Sequence, residues 1–524
     1  MSPSPQRLVS SLEDRFAELE TEFHEAYWQS QVEATPASEQ RRAELELELR
    51  RAKGDPRALE AVREALERSP RDPVLRRQLE VLQLSLSANQ MSDAQRARIV
   101  ELQSSVESDF AAYRPEVEGG ALSDNEIEEI LRSSDDDALR RRAWEASKEI
   151  GAVVAERVRE LARVRNQVAR DQGYPDFYLL SLELQELSED WLFGVLEELD
   201  ALTRRRFERW KVDLDDALAR RFGCDRVKPW HYADPFFQSL PRDGSVSLDG
   251  ALAETSAAEV AAKTFASWDI DLAGVMGRSD LYPRDRKCQH AFCLDVDRSG
   301  KDVRILANIV AGERWVEIML HESGHAAYDV EISPELPYLL HRAAHILVTE
   351  ATAILSGRLA RDPQWLREVA AIDRREVAAL ESGLARAGAA QALLFARWGL
   401  VVVHFERELY ADPEADLDTR WWELVERFQL VRPPEGRAAP DWAAKIHIAV
   451  APVYYHNYLL GELLASQLRA TCERERGGLV GMRAAGRLLA GRVFRRGSLL
   501  PWDALVRDAT GTGLRADDFA ASLR

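Results

Sequence analysis

The stretch Met319 to Asp329 reads MLHESGHAAYD, two histidines four residues apart with a glutamate directly after the first. On a helix that spacing is one turn, so His321 and His325 share a face and both imidazoles reach one ion. Glu322 is displaced around the helix, toward the water that such an ion would activate. The donor set suits zinc, although histidine and carboxylate ligands accept other divalent metals. A catalytic zinc takes three protein ligands and keeps one position open, so a third ligand is expected from another element. Glu350 is the candidate. It sits in the helical pattern HRAAHILVTEATAILSGRLA, where Ala351, Ala353 and Gly357 are small enough to let helices approach. Apolar residues on both sides argue against a solvated surface glutamate. His341 and His345 repeat the four-residue spacing, but Arg342 replaces the would-be base, and a structural or supporting role is assigned to them. Cys288 and Cys293 flank His290 and offer an alternative metal site, against which stands the reading of two partly buried thiols beside a strand.

These residues need a scaffold, and the chain is patterned as helix nearly throughout. From Pro5 to about Tyr113, apolar residues recur at three- and four-residue spacing amid Arg and Glu. Breaks fall at Ala52-Lys53-Gly54-Asp55-Pro56 and Ser69-Pro70-Arg71-Asp72-Pro73. The charged helices of residues 1–118 are expected to form an N-terminal subdomain, either as packing surface or as a lid over a cleft. After Glu118-Gly119-Gly120, Ser123 and Glu126 make a capping box that opens the helical catalytic region of residues 119–524. A loop-rich segment runs from Lys228 to Asp249. One segment breaks the helical rule: Lys287 to Ile309 has β-favouring residues on both sides of Asp297-Arg298-Ser299-Gly300 and predicts a hairpin. A strand edge next to the metal helix can bind an extended peptide through its main chain.

Composition narrows the function classes. The 524 residues are 46% hydrophobic and 30% charged, which is the profile of a compact globular chain. With 70 basic and 89 acidic side chains the formal charge is −19, which repels nucleic acid and anionic membrane surfaces. The start, MSPSPQRLVSSLEDRF, lacks the basic and apolar regions of a secretion signal, and a cytoplasmic protein is expected. The apolar run Ala390 to Phe405 is shorter than a bilayer span, so no transmembrane helix is expected. Cys224, Cys288, Cys293 and Cys472 have no paired spacing, and reduced thiols are the default.

HESGH followed by Glu350 resembles the gluzincin peptidases. Three further segments make the chain similar to the angiotensin-converting-enzyme family of peptidyl dipeptidases, with the thimet oligopeptidase family close behind. These are WWELVERFQLVRPP (Trp421 to Pro434), CQHAFCLDVDRSGKDVRI with its His-Ala pair, and KIHIAVAPVYYHNYLLGELLASQ. The similarity spans roughly Lys287 to Gln467, and the first two hundred residues share only their helical character.

The resemblance implies a mainly α, two-lobed zinc peptidase with a deep central cleft, one zinc ion and oligopeptide substrates. It implies that His290 and Ala291 hold the substrate backbone, that Lys445 and Tyr455 bind its terminal carboxylate, that His447 donates to a substrate carbonyl, and that Tyr458 stabilises the oxyanion. An ammonium suits a carboxylate, and a phenol or an imidazole can be aimed at developing negative charge. Which of Tyr454, Tyr455 and Tyr458 takes which part is left open by one extra residue between His447 and Tyr458. Departures from the family pattern are Asn457 and Val425 in place of chloride-binding arginines, and Ile354 in place of an aspartate one turn after the third ligand. A glutamine of the carboxylate pocket has no visible counterpart. The expected activity is release of C-terminal dipeptides. The alternatives are internal cleavage of oligopeptides and a catalytically silent peptide-binding protein, and retention of Glu322 with both histidines argues against the last.

Overall fold

The computed structural model describes residues 4–68, 70–241 and 247–523. Ser69, in the second expected helix break, and residues 242–246, in the expected loop, lie outside the described residues. Five helices come first: α1 (Pro5–Val32), α2 (Pro36–Lys53), α3 (Pro56–Glu67), α4 (Pro73–Ser87) and α5 (Asp93–Ala112). The first four start the same way, with Ser4, Thr35, Asp55 or Asp72 accepting from a backbone N–H and proline following at the first helical position. The cap occupies a donor that lacks an intrahelical partner, and proline lacks the N–H that would have needed one.

A small hairpin, β1 (Glu116–Val117) with β2 (Gly120–Ala121), follows where the sequence predicted only a boundary. Its turn residues Glu118 and Gly119 both have positive φ, 54° and 81°, the backbone that a two-residue hairpin turn requires. Then come α6 (Asp124–Ser133), capped by Ser123 and Glu126 as expected, α7 (Asp137–Asp171), α8 (Phe177–Leu184), α9 (Glu189–Phe222), α10 (Ala257–Ser267) and α11 (Ala273–Arg278).

The predicted hairpin is β3 (Phe292–Asp295) paired antiparallel with β4 (Val303–Leu306), Phe292 opposite Leu306. Asp295 and Asp297 shape its turn by accepting from Gly300 N at 2.9 Å and Ser299 N at 3.0 Å. The remaining helices are α12 (Glu313–Glu331), α13 (Ile346–Gly357), α14 (Pro363–Glu368), α15 (Arg374–Ala411), α16 (Leu417–Gln429), α17 (His447–Val450), α18 (His456–Arg476), α19 (Arg483–Arg492), α20 (Trp502–Thr510) and α21 (Asp517–Ser522).

One large core runs from Leu102 on α5 to the end of the chain, while Val9, Phe16, Val62, Leu79 and Leu86 build a separate core among α1, α3 and α4 that Leu339 completes. α15 is long and apolar enough to cross a bilayer by length and composition. Instead its Leu394, Trp398, Val401 and Val402 are completely buried among the other helices.

α1 lies against the hairpin. Tyr27 and Trp28 pack on Phe292 with ring centroids 5.5 and 6.0 Å apart, and His24 Nδ1 lies 3.0 Å from Val296 O. Cys288 N donates to Gln31 O at 2.8 Å.

Candidate active site

Three helices carry the chemistry. α12 and α13 touch at Gly324, inside the HESGH motif, where a Cβ would lie 2.7 Å from Ala353 Cα and 2.9 Å from Thr352 O. Only glycine permits that approach. α18 meets α13 at Gly461, where a Cβ would be 3.2 Å from Glu350 Cβ. His345, the second histidine of the spare pair, caps α13 by accepting from Leu347 N at 2.9 Å, and its Nε2 lies 2.8 Å from Gln185 O. His341 is buried, with no hydrogen-bond partner on either ring nitrogen among the described residues. Neither reaches the metal face.

The packing brings His321, His325 and Glu350 together with one ligand atom each, all within 4.8 Å of one another. His321 Nε2 is 3.9 Å from Glu350 Oε2, and the two imidazole centroids are 5.1 Å apart. Two ligands each about 2.1 Å from a tetrahedral ion stand roughly 3.4 Å apart, so small side-chain shifts close the cluster on zinc. Among the described residues this is the one such group, and Cys288, His290 and Cys293 do not form another.

The electrostatics fit the same ion. Burial lowers His321 to about 4, and burial together with His321 lowers His325 to about 3. Both imidazoles are therefore neutral, the form that donates a lone pair to a metal. Burial and the neighbouring Glu350 push Glu322 up to about 8, and burial also raises Glu350. Two carboxyl groups whose charged forms burial disfavours call for a cation beside them.

All four side chains line a cavity of about 570 Å³, together with Ala291, Phe292 and Cys293 from the hairpin segment and Tyr458 from α18. Ala291 and Tyr458 thus face the metal cluster. His290 is exposed and does not line the cavity.

The other three expected residues form a second group. Lys445 Nζ donates to Gln238 Oε1 at 3.2 Å and lies 5.2 Å from the Trp398 ring centroid. Tyr455 is 6% exposed and accepts from Trp398 Nε1 at 2.7 Å, with the His447 ring 5.8 Å away. Burial brings Lys445 down to about 8, and burial, with Lys445 and His290 adding to it, lowers His447 to about 4. Tyr458 bridges the groups, its ring 5.2 Å from Tyr454 and 5.4 Å from Tyr455.

Three residues that the sequence did not single out for these roles join the site. Thr349 Oγ1 lies 2.7 Å from His325 Nδ1, the orienting contact that leaves Nε2 free for an ion. Tyr454 OH donates to Glu350 Oε1 at 3.4 Å. Gln238, in the loop after α9, is the partner of Lys445. Thr349 had one visible signal, its place directly before Glu350 on a helix whose register was readable. Ile354 lines the cavity where an aspartate was expected, and neither His321 nitrogen has a hydrogen bond among the described residues.

Comparison with known families divides the chain differently from the motifs. The angiotensin-converting enzyme family matches residues 3–190, helices in which the sequence motifs show only a helical likeness. The catalytic motifs fall instead within the match to peptidase family M3, residues 130–524. No curated relative matches the chain. With the HESGH helix, Glu350 and the Lys445 segment all inside a match that covers well over half of the sequence, the chain belongs to peptidase family M3 and is a zinc-dependent metallopeptidase.

Proposed function

We propose that one zinc ion is held by His321, His325 and Glu350, and that the enzyme releases dipeptides from the free C-terminus of short peptides. The observation that carries this reading is the convergence of the three donors and Glu322 on one cavity wall, with a half-buried lysine beyond it. When bound, zinc supplies Lewis acidity, polarising the scissile carbonyl and acidifying a water. Glu322 takes a proton from the attacking water and passes it to the leaving amine. Tyr458 donates to the carbonyl oxygen as negative charge develops there, and His447, kept neutral, donates to a neighbouring substrate carbonyl. Main-chain groups at His290 and Ala291 hold the peptide as an added strand beside β3. Lys445, with Gln238 alongside and Tyr455 behind, receives the terminal carboxylate. The helices of residues 1–118 act as a lid, a role supported by the contacts of α1 with the hairpin.

The family match favours a second reading, internal cleavage of oligopeptides, which has no need of a free carboxylate. Mass spectrometry of products from paired peptides with free and amidated C-termini separates the two. Loss of cleavage on amidation supports dipeptide release, and equal cleavage removes the role given to Lys445.

A further inference from the structure

The cavity is lined by more than the metal cluster. Cys293 on β3, Ala343, and Asp329, one helical turn after His325 on α12, also form its wall. Four carboxylates line the cavity, and no lysine or arginine does. Glu322 and Glu350 belong to the reaction centre, and Glu462 is paired with Arg358. Asp329 has no side-chain hydrogen bond and no ion pair among the described residues. Asp295, at the end of β3, adds negative potential beside it, and Asp295 Oδ1 is itself buried without a partner. Arg298, the cation whose field reaches Asp329, is engaged with Glu20 at 3.0 Å and lies over the Tyr338 ring.

The strand gives the direction. His290 is within electrostatic reach of His447, which also feels Lys445. From that end the chain runs through Ala291, Phe292 and Cys293, which line the cavity with the metal cluster, to Asp295, whose charge acts on Asp329, advancing about 3.3 Å per residue. Asp329 therefore lies on the opposite side of the reacting centre from the carboxylate anchor.

We propose that Asp329, with Asp295 beside it, is a specificity-determining residue that receives a lysine or arginine side chain of the peptide on the N-terminal side of the cleaved bond. This rests on the zinc-peptidase reading above. An ammonium or guanidinium supplies donors to a carboxylate that has none, while its aliphatic stem runs along Cys293 and Ala343. Burial and Asp295 disfavour the charged form of Asp329, so an arriving cation ionises it, whereas a glutamate adds further negative charge and an apolar side chain leaves the carboxyl group unpaired.

The test uses the zinc-loaded full chain and matched free-acid peptides carrying arginine, lysine, norleucine or glutamate at each of the two positions preceding the cleaved bond. At one position, kcat/KM for the cationic peptides is expected to exceed that for norleucine by about tenfold or more, with glutamate poorest. In Asp329→Asn the cation-to-norleucine ratio is expected to fall to within about twofold of unity, because the group that ionises against the cation is gone. Cleavage without cationic preference in the unmodified enzyme overturns this inference alone, and so does an undiminished ratio in D329N. Should that variant not fold, the unmodified series decides. Failure to cleave any peptide overturns the peptidase reading and the inference with it.

Discussion

Thr349→Val tests whether the hydroxyl beside His325 sets the metal affinity. Valine keeps the shape of threonine and removes only the group 2.7 Å from His325 Nδ1, the one hydrogen bond that this ring makes among the described residues. A buried donor left unsatisfied costs about 1–3 kcal/mol, which corresponds to about 5- to 150-fold in an equilibrium constant. Thr349 lines the cavity, so water partly replaces the hydroxyl and the expected loss sits near the lower end, about tenfold in zinc affinity. Zinc competition against a chelator of known affinity, read by metal content after equilibrium dialysis, measures it without reference to turnover. Thr349→Ser, which keeps the oxygen, is expected to bind zinc within about twofold of the unmodified enzyme. If the valine variant binds zinc as tightly as the parent, the hydroxyl does not orient the ligand and the argument is refuted.

Glu322→Gln is expected to abolish peptide cleavage while zinc content stays stoichiometric, and residual turnover near the parent rate would remove its role as base. Tyr458→Phe should lose about 10²–10³ in kcat with little change in melting temperature, as expected for one donor to developing charge, and an unchanged kcat would pass that part to another tyrosine. Chelation is expected to lower the melting temperature as well as activity, because Glu322 and Glu350 then face each other without a cation, and added zinc should restore both. Gly324→Ala should destabilise by about 1–3 kcal/mol, since the new methyl meets the backbone of α13 rather than a yielding side chain.

Glu20 gives a pH prediction. Burial disfavours its charge, yet Arg298 and Lys53 outweigh that and bring it down to about 2 from an ordinary 4.5. A carboxylate whose folded value is depressed adds stability that is complete above its unfolded value and is lost as pH falls toward the folded one. The contacts that Glu20 makes with Arg298 and Tyr338 should therefore weaken between about pH 4.5 and 2. The difference in melting temperature between the parent and Glu20→Gln should shrink across that window.

Local chemistry was legible where it depends on spacing along one element. His321, Glu322 and His325 needed only the helical period, and the start of α6 needed only Ser123 and Glu126. Glu350 was legible because small residues around it announced close helix packing. Gln238 was not, because it sits on an irregular loop and comes beside Lys445 through tertiary packing that has no period to read. Tyr454 could not be told from its neighbours until α18 was docked on α13. The hairpin at Glu116 to Ala121 was missed because two residues per strand are too few to alternate. Its turn falls at Glu118 and Gly119, with Gly120 already in β2.

Gly324 leaves no space for even a methyl group between α12 and α13, and Gly461 holds α18 in a tight fit against α13. His321, His325, Glu350, Glu322 and Tyr458 therefore ride on one closely packed block of three helices. On the proposed reading, the give needed for different peptide sequences falls to the irregular segments that bear Gln238 and Lys445 and to the strand packed by α1. Bond breaking is bolted down, and gripping is sprung.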